Sequence, residues 1–353
     1  MTESASSRRE FLKTTSAVAG GAITAAVEAR PTSPADTSKI RNYNPKMGYR
    51  RLGKTGLMIS EIGLGGHTTE DVENRRAVLK KAAELGMNYV DNNIAEECDL
   101  YGKALGKDRD KWIIGFASWP EKLTPDYEKE FNADLCYRNI DARLKGYGTD
   151  CLDIWRPVGA SWGDGQTKQD TMWDVSPRTL DIVVEVFEKV KKQGKVRFLG
   201  ISGHKSTVFR RVLTEYPQFS VILFPYLFLT KPYGGDSLLA LAKEKDVGVI
   251  GIKPFAAGAT FGDKEQAVTW RGKVDPRATS LLKVMLQEQR ISAVIPGVQS
   301  PEQLEQNVKA SYSRAEPLTE ADRKAYHECL DSYGRQLNGS YAGYRWLHEW
   351  EVV

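Results

Sequence analysis

Eight short runs rich in β-branched and aromatic residues recur along the chain: Met58–Leu64, Met87–Asp91, Trp112–Ala117, Cys151–Trp155, Val196–Ser202, Val221–Tyr226, Val247–Pro254 and Ile291–Pro296. Several are apolar throughout, as strands covered on both faces must be. Helix-period stretches such as Asp71–Leu85, Pro177–Gln193 and Asp236–Lys245 lie between them, and Gly86 and Gly194 follow two of these where a helix end favours glycine. Strands alternating with helices imply an α/β fold with a parallel sheet, and eight alternations close a (β/α)8 TIM barrel. An open doubly wound sheet is the alternative, but no GxGxxG follows the first strand. Tyr49 to Met58 reads as an N-terminal β-hairpin turned at Gly53–Gly56.

Charge and composition exclude other classes. Lys and Arg number 50 against 46 Asp and Glu, too even a balance for a nucleic-acid partner. The 41% hydrophobic content is ordinary for a globular chain. No apolar run reaches about 18 residues, so no membrane-spanning helix is expected in the mature form.

The N-terminus carries an address rather than fold. Ser7-Arg8-Arg9-Glu10-Phe11-Leu12-Lys13 is a twin-arginine pattern, followed by the weakly apolar Ala17–Val27 and a cleavage-like Val27-Glu28-Ala29. An amphipathic starting helix with a chance arginine pair is the alternative. The expected organisation is a signal peptide over 1–29, a polar linker over 30–47, the barrel over 48–315 and a C-terminal helical or irregular extension over 316–353. Export through the twin-arginine translocon would place the mature protein in the periplasm or outside the cell, in oxidising surroundings. Cys98, Cys136, Cys151 and Cys329 nevertheless show no CxxC and no zinc spacing; buried free thiols are the main expectation, with one disulfide among them as the alternative.

The motifs Tyr49–Leu57 with Ile62–Gly66, Gly86–Asp91, Gly194–Ser202, Lys253-Pro254, and Ile295–Val298 with Gln303–Asn307 resemble, in this order, those of the aldo-keto reductases. The similarity spans roughly residues 48 to 315. It implies NADP(H)-dependent carbonyl reduction, with a Tyr as general acid tuned by a Lys and a His, and an Asp beneath the Lys. Such a donor is needed because hydride arrival leaves an alkoxide. The Asp matches Asp91. The other three positions do not match. Asn92 to Glu97 stand where the Tyr is expected, the third run ends Phe116-Ala117-Ser118-Trp119 rather than in Lys, and the fourth reads Trp155-Arg156 rather than ending in His. On the cofactor side, Ser202 matches the carboxamide contact, although Gly203 replaces the usual Asn, and Tyr226 is retained. Lys253 lies beside the implied pyrophosphate path, and Gly297, Gln303, Gln306 and Asn307 form an intact adenosine segment. No Arg or Lys follows Pro296-Gly297 to grip a 2′-phosphate, so NAD(H) stays open beside NADP(H). The tail Leu330–Tyr341 resembles that of a subgroup with a ferredoxin-like cluster, but Cys329 is alone there, so no iron–sulfur cluster is expected.

Chemistry in such a barrel sits at the C-terminal strand ends. There Asp91, Glu96, Arg156 and His204 are the candidate catalytic groups; His67, Trp119, Trp155 and Trp162 are candidates for a substrate pocket whose aromatic faces would suit a carbohydrate. Each has a plainer reading: Glu96 and Glu97 as the acidic first turn of a helix, Arg156 as an ion-pair partner of Asp91 or Glu96, the tryptophans as lid packing. No metal site is expected. Three functions remain open: an atypical oxidoreductase on a small molecule, a non-redox acid–base enzyme on a sugar-like substrate, and a non-catalytic binding barrel.

Overall fold

The structure, a computed structural model, describes residues 36–65, 71–93, 95–118, 127–157, 159–160, 175–203, 206–227, 233–265 and 273–343. His67, Trp119, Trp162 and His204 lie outside the described residues, as does the N-terminal address. The chain opens with an antiparallel hairpin, β1 (Tyr49–Arg51) and β2 (Met58–Ser60). The barrel strands are β3 (Leu64–Gly65), β4 (Tyr89–Asn92), β5 (Ile113–Ala117), β6 (Leu152–Arg156), β8 (Val196–Gly203), β9 (Phe219–Pro225), β10 (Gly248–Ile252) and β11 (Ala293–Ile295). They pair in parallel in chain order, and a bridge between Ile62 and Val294 joins the first to the last. The chain is therefore a (β/α)8 barrel with an N-terminal hairpin. The expected run Met58–Leu64 is divided: Met58–Ser60 pairs within the hairpin and Leu64–Gly65 within the barrel. A further short strand, β7 (Gly159–Ala160), pairs with Ser202 and Gly203 at the end of β8.

Helices cover the outside: α1 (Val72–Glu84), α2 (Ala95–Leu105), the short α3 (Tyr127–Glu130), α4 (Ala133–Tyr147), α5 (Pro177–Lys192), α6 (Ser206–Glu215), α7 (Tyr233–Glu244), α8 (Arg277–Met285), α9 (Pro301–Tyr312) and α10 (Glu320–Leu337). Their starts are written in the sequence. Ser176 and Ser300 cap helices whose next residue is proline, and Asn132 caps α4. Thr319 and Asp322 form a capping box at α10.

The barrel interior is filled by alternate strand residues: Tyr89, Ile113, Ile154, Val221, Leu223, Ile250, Ala293 and Ile295. Leu52 and Ile59 of the hairpin join this core and plug the bottom of the barrel. Arg50 fixes the plug. Its Nε–H donates to Glu61 at 2.8 Å, while Nη1 and Nη2 donate to the carbonyls of Glu288, Ile291 and Leu286 at 2.6–2.8 Å. At the other end of the chain, α10 is tied to α8 by Lys283, which donates to Asp322 at 3.0 Å. The four cysteines are free thiols, and burial pushes Cys98, Cys136 and Cys329 up to about 12. Among the described residues no helix is long and apolar enough to cross a membrane.

Candidate active site

Three strand ends meet on the barrel axis. Period-two alternation sends Tyr89 and Asp91 of β4 inward, and likewise Ile154 and Arg156 of β6. The Asp91 carboxylate is an ion-pair partner of Arg156 through Oδ1 and Nη2, and Tyr89 donates to its Oδ2 at 2.7 Å. Arg156 is 2% exposed, and both of its terminal nitrogens are engaged in the floor of the site while its Nε–H has no partner among the described residues. Its Nη2 also donates to the Asn92 carbonyl at 2.8 Å, and Nη1 donates to Ser202 Oγ at 3.0 Å. Burial pushes the Asp91 carboxyl above its ordinary value, with Arg156 and the Tyr89 hydrogen bond pulling the other way. Gly115 on β5 makes room for this network. A Cβ there would lie 2.3 Å from Tyr89 Oη and 2.6 Å from Asp91 Oδ2.

Ala117, the last residue of β5, lies in register with Arg156. The guanidinium from the fourth barrel strand thus makes the ion pair with Asp91 that the family resemblance assigns to a Lys on the third. Ser202 accepts from Arg156, and its own hydroxyl proton is bonded to no acceptor among the described residues. That proton is available to a ligand. A hydroxyl whose oxygen already accepts from a cation is a strengthened donor.

Several expected site residues sit elsewhere. Glu96 is exposed on the first turn of α2; its neighbour Glu97 is buried and accepts from the Asn93 amide at 2.7 Å, beside Asp91. Trp155 does not line a substrate pocket. It alternates with Ile154 and Arg156, so it faces the helices, buried, with Nε1–H donating to Ser118 Oγ at 2.7 Å. Tyr226 is also on the outer side. It lies against Gly251, whose neighbours Ile250 and Ile252 face the interior, and the charges that act on its hydroxyl are Glu288, Arg290 and Arg50. Residues not singled out from sequence include Tyr89, findable by its spacing of two from Asp91, and Arg75. The buried Arg75 donates to Tyr101 at 3.1 Å, and Tyr101 donates to the Gly65 carbonyl at 3.0 Å. No local signal marks that contact.

A second element of the site is a shallow pocket beside the ends of β10 and β11, opening to solvent. Gly297, Gln303, Gln306 and Asn307 form one wall, and Phe255 and Phe261 another. The two glutamines brace this wall. Gln303 accepts from the Gln299 amide at 2.7 Å and donates to the Lys273 carbonyl at 2.9 Å, and Gln306 donates to Thr279. Asn307 is buried, and its amide makes no hydrogen bond among the described residues. Two aromatic faces and an uncommitted amide suit an aromatic base. Lys253 directly follows β10 with a φ of 55°, and burial pushes its amine down to about 8. Among the described residues no cluster of His, Cys, Asp and Glu could hold a metal ion.

A parallel barrel with an acid–guanidinium pair at its C-terminal mouth and an open, partly aromatic pocket at the ends of β10 and β11 defines a (β/α)8 enzyme that handles small molecules. The chain belongs to the aldo/keto reductase family, whose model matches residues 61–331, and this places it among the oxidoreductases. It is 28% identical over 300 residues to L-galactose dehydrogenase of Arabidopsis thaliana, covering 75% of this chain and 88% of that one. It is 26% identical over 329 residues to an uncharacterised oxidoreductase of Bacillus subtilis, covering 82% of this chain and 97% of that one. Its fold matches an aldo-keto reductase from Bacillus halodurans with a TM-score of 0.60 at 23% identity, over 80% of this chain and 96% of the other.

Proposed function

We propose that the protein is an exported NADP(H)-dependent oxidoreductase, with NAD(H) as the alternative cofactor, that works without the usual Tyr, Lys and His. The observation that carries this reading is the pocket lined by Phe255, Phe261, Gly297 and Asn307, together with a floor in which Arg156 bridges Asp91 and Ser202. The residues fit a dinucleotide: Phe255, Phe261 and the Asn307 amide for the adenosine, Lys253 for a phosphate, and the Ser202 hydroxyl for a carboxamide. When bound, the nicotinamide supplies a hydride acceptor or donor. The chain's own contribution is positioning and electrostatics. Asp91 holds the Arg156 guanidinium under the mouth, and Arg156 in turn orients Ser202 so that its hydroxyl donates upward. Tyr89 in the floor is committed to Asp91, so carbonyl oxygens are stabilised mainly by hydrogen bonds such as that of Ser202, and simple aldehydes should turn over slowly.

The similarity to L-galactose dehydrogenase supports a sugar-like alcohol or carbonyl as substrate. The test is a titration of the mature chain, Arg30 onward, with NADP(H) and NAD(H), following its tryptophan fluorescence. Saturation at micromolar cofactor is expected. No binding at millimolar concentrations would reject the reading and favour acid–base chemistry without net redox change.

A further inference from the structure

The segment that follows β10 is held in an unfavourable backbone shape. Lys253, Ala256 and Ala257 all have left-handed φ, at 55°, 50° and 56°, before Gly258 at 99°. Non-glycine residues adopt this region at a cost, and three within five residues persist only where surrounding structure enforces them. Phe255 and Phe261, which wall the nucleotide pocket, belong to this segment, with ring centroids 5.0 Å apart.

Turn hydrogen bonds within the segment, and the Thr260 hydroxyl on the Phe255 carbonyl at 3.1 Å, hold part of this shape, and further contacts come from beyond the barrel. Tyr341, fully buried, donates its hydroxyl to the Ala257 carbonyl at 3.0 Å. Ser332 of α10 donates to the Ala259 carbonyl at 3.2 Å, and Ser340 accepts from the Lys264 amide at 3.0 Å. Three contacts from the C-terminal extension thus land on Ala257 within the strained stretch and on Ala259 and Lys264 just after it. From inside the barrel layer, Arg277 donates to the Phe261 carbonyl at 3.3 Å.

We infer that the C-terminal extension is a clasp that shapes the nucleotide pocket, and that Tyr341 is a positioning residue for Phe255 and Phe261. This rests on the reading of that pocket as a nucleotide site. The extension therefore serves binding without touching the ligand, through the left-handed alanines that it holds in place.

The experiment compares the wild-type chain with Tyr341→Phe, Ala257→Gly and the double variant. Tyr341→Phe removes one hydroxyl and keeps the buried ring, so the fold is expected to survive. Two readouts are taken: hydrogen exchange of the amides of residues 255–261, and the Kd for 5′-AMP. Tyr341→Phe should speed exchange in that segment about tenfold while leaving β4 to β9 protected, and raise the Kd about five- to tenfold, the range for one hydrogen bond. Glycine carries a left-handed φ without strain, so in the Ala257→Gly background the same change should alter the Kd by less than about twofold. Unchanged exchange at 255–261 in Tyr341→Phe would overturn the clasp whatever the nucleotide does. Faster exchange with unchanged Kd would make Tyr341 merely structural and would also overturn it. A wild-type chain that fails to bind 5′-AMP would reject the nucleotide reading and the clasp's role with it.

Discussion

Asp91 and Arg156 carry opposite charges into the barrel, where neither survives alone. Burying a carboxylate costs several kcal/mol unless a partner and hydrogen bonds offset it, and here a guanidinium, a phenol and a serine close the network. Asp322 shows the same economy at a structural site. Burial acts to raise its carboxyl, but the Thr319 amide, Ser280 and Lys283 outweigh it and hold the group down to about 2. Because the folded value lies below the unfolded 3.8, this stabilisation is present above about pH 4 and is lost as pH falls toward 2. Urea midpoints of the wild type and Asp322→Asn should therefore differ at pH 6 and converge as the pH is lowered through that window. A gap that stays constant with pH would contradict the assignment.

At the scale of elements, the hairpin plug distinguishes two adjacent arginines. Arg50 is half-buried and serves Glu61 and three carbonyls just beyond α8, whereas Arg51 pairs with Asp246 in solvent. Arg50→Ala should cost about 3–5 kcal/mol in chemical denaturation because it leaves Glu61 buried and unpaired. Arg51→Ala should cost less than about 1 kcal/mol. The elements themselves were largely legible: capping residues and apolar runs located strands and helices, and the hairpin turned where its glycines stand. The division of Met58–Leu64 was not, because one apolar run serves two sheets and only tertiary pairing separates them. In the site, Asp91 and Arg156 were visible at strand ends. Trp155 and Tyr226 were misplaced because a strand's final residues alternate between mouth and helix layer, and the phase is fixed by packing at Ile154 and Gly251.

At the scale of the whole molecule, the proposed export rests on Arg8 and Arg9. Replacing both with lysine should retain a precursor inside the cell with unchanged nucleotide affinity, read by fractionation and titration. Export that is unaffected by the change would remove the twin-arginine assignment. The free cysteines bear on the same journey. Three are buried with their thiolates strongly disfavoured, and the molecule draws no stability from any sulfur–sulfur bond. Such a barrel reaches its final form by packing and hydrogen bonding alone. On the proposed export it can be completed in a reducing compartment and carried into an oxidising one with no disulfide to form on arrival, and half-buried Cys151 is the thiol most open to oxidants there.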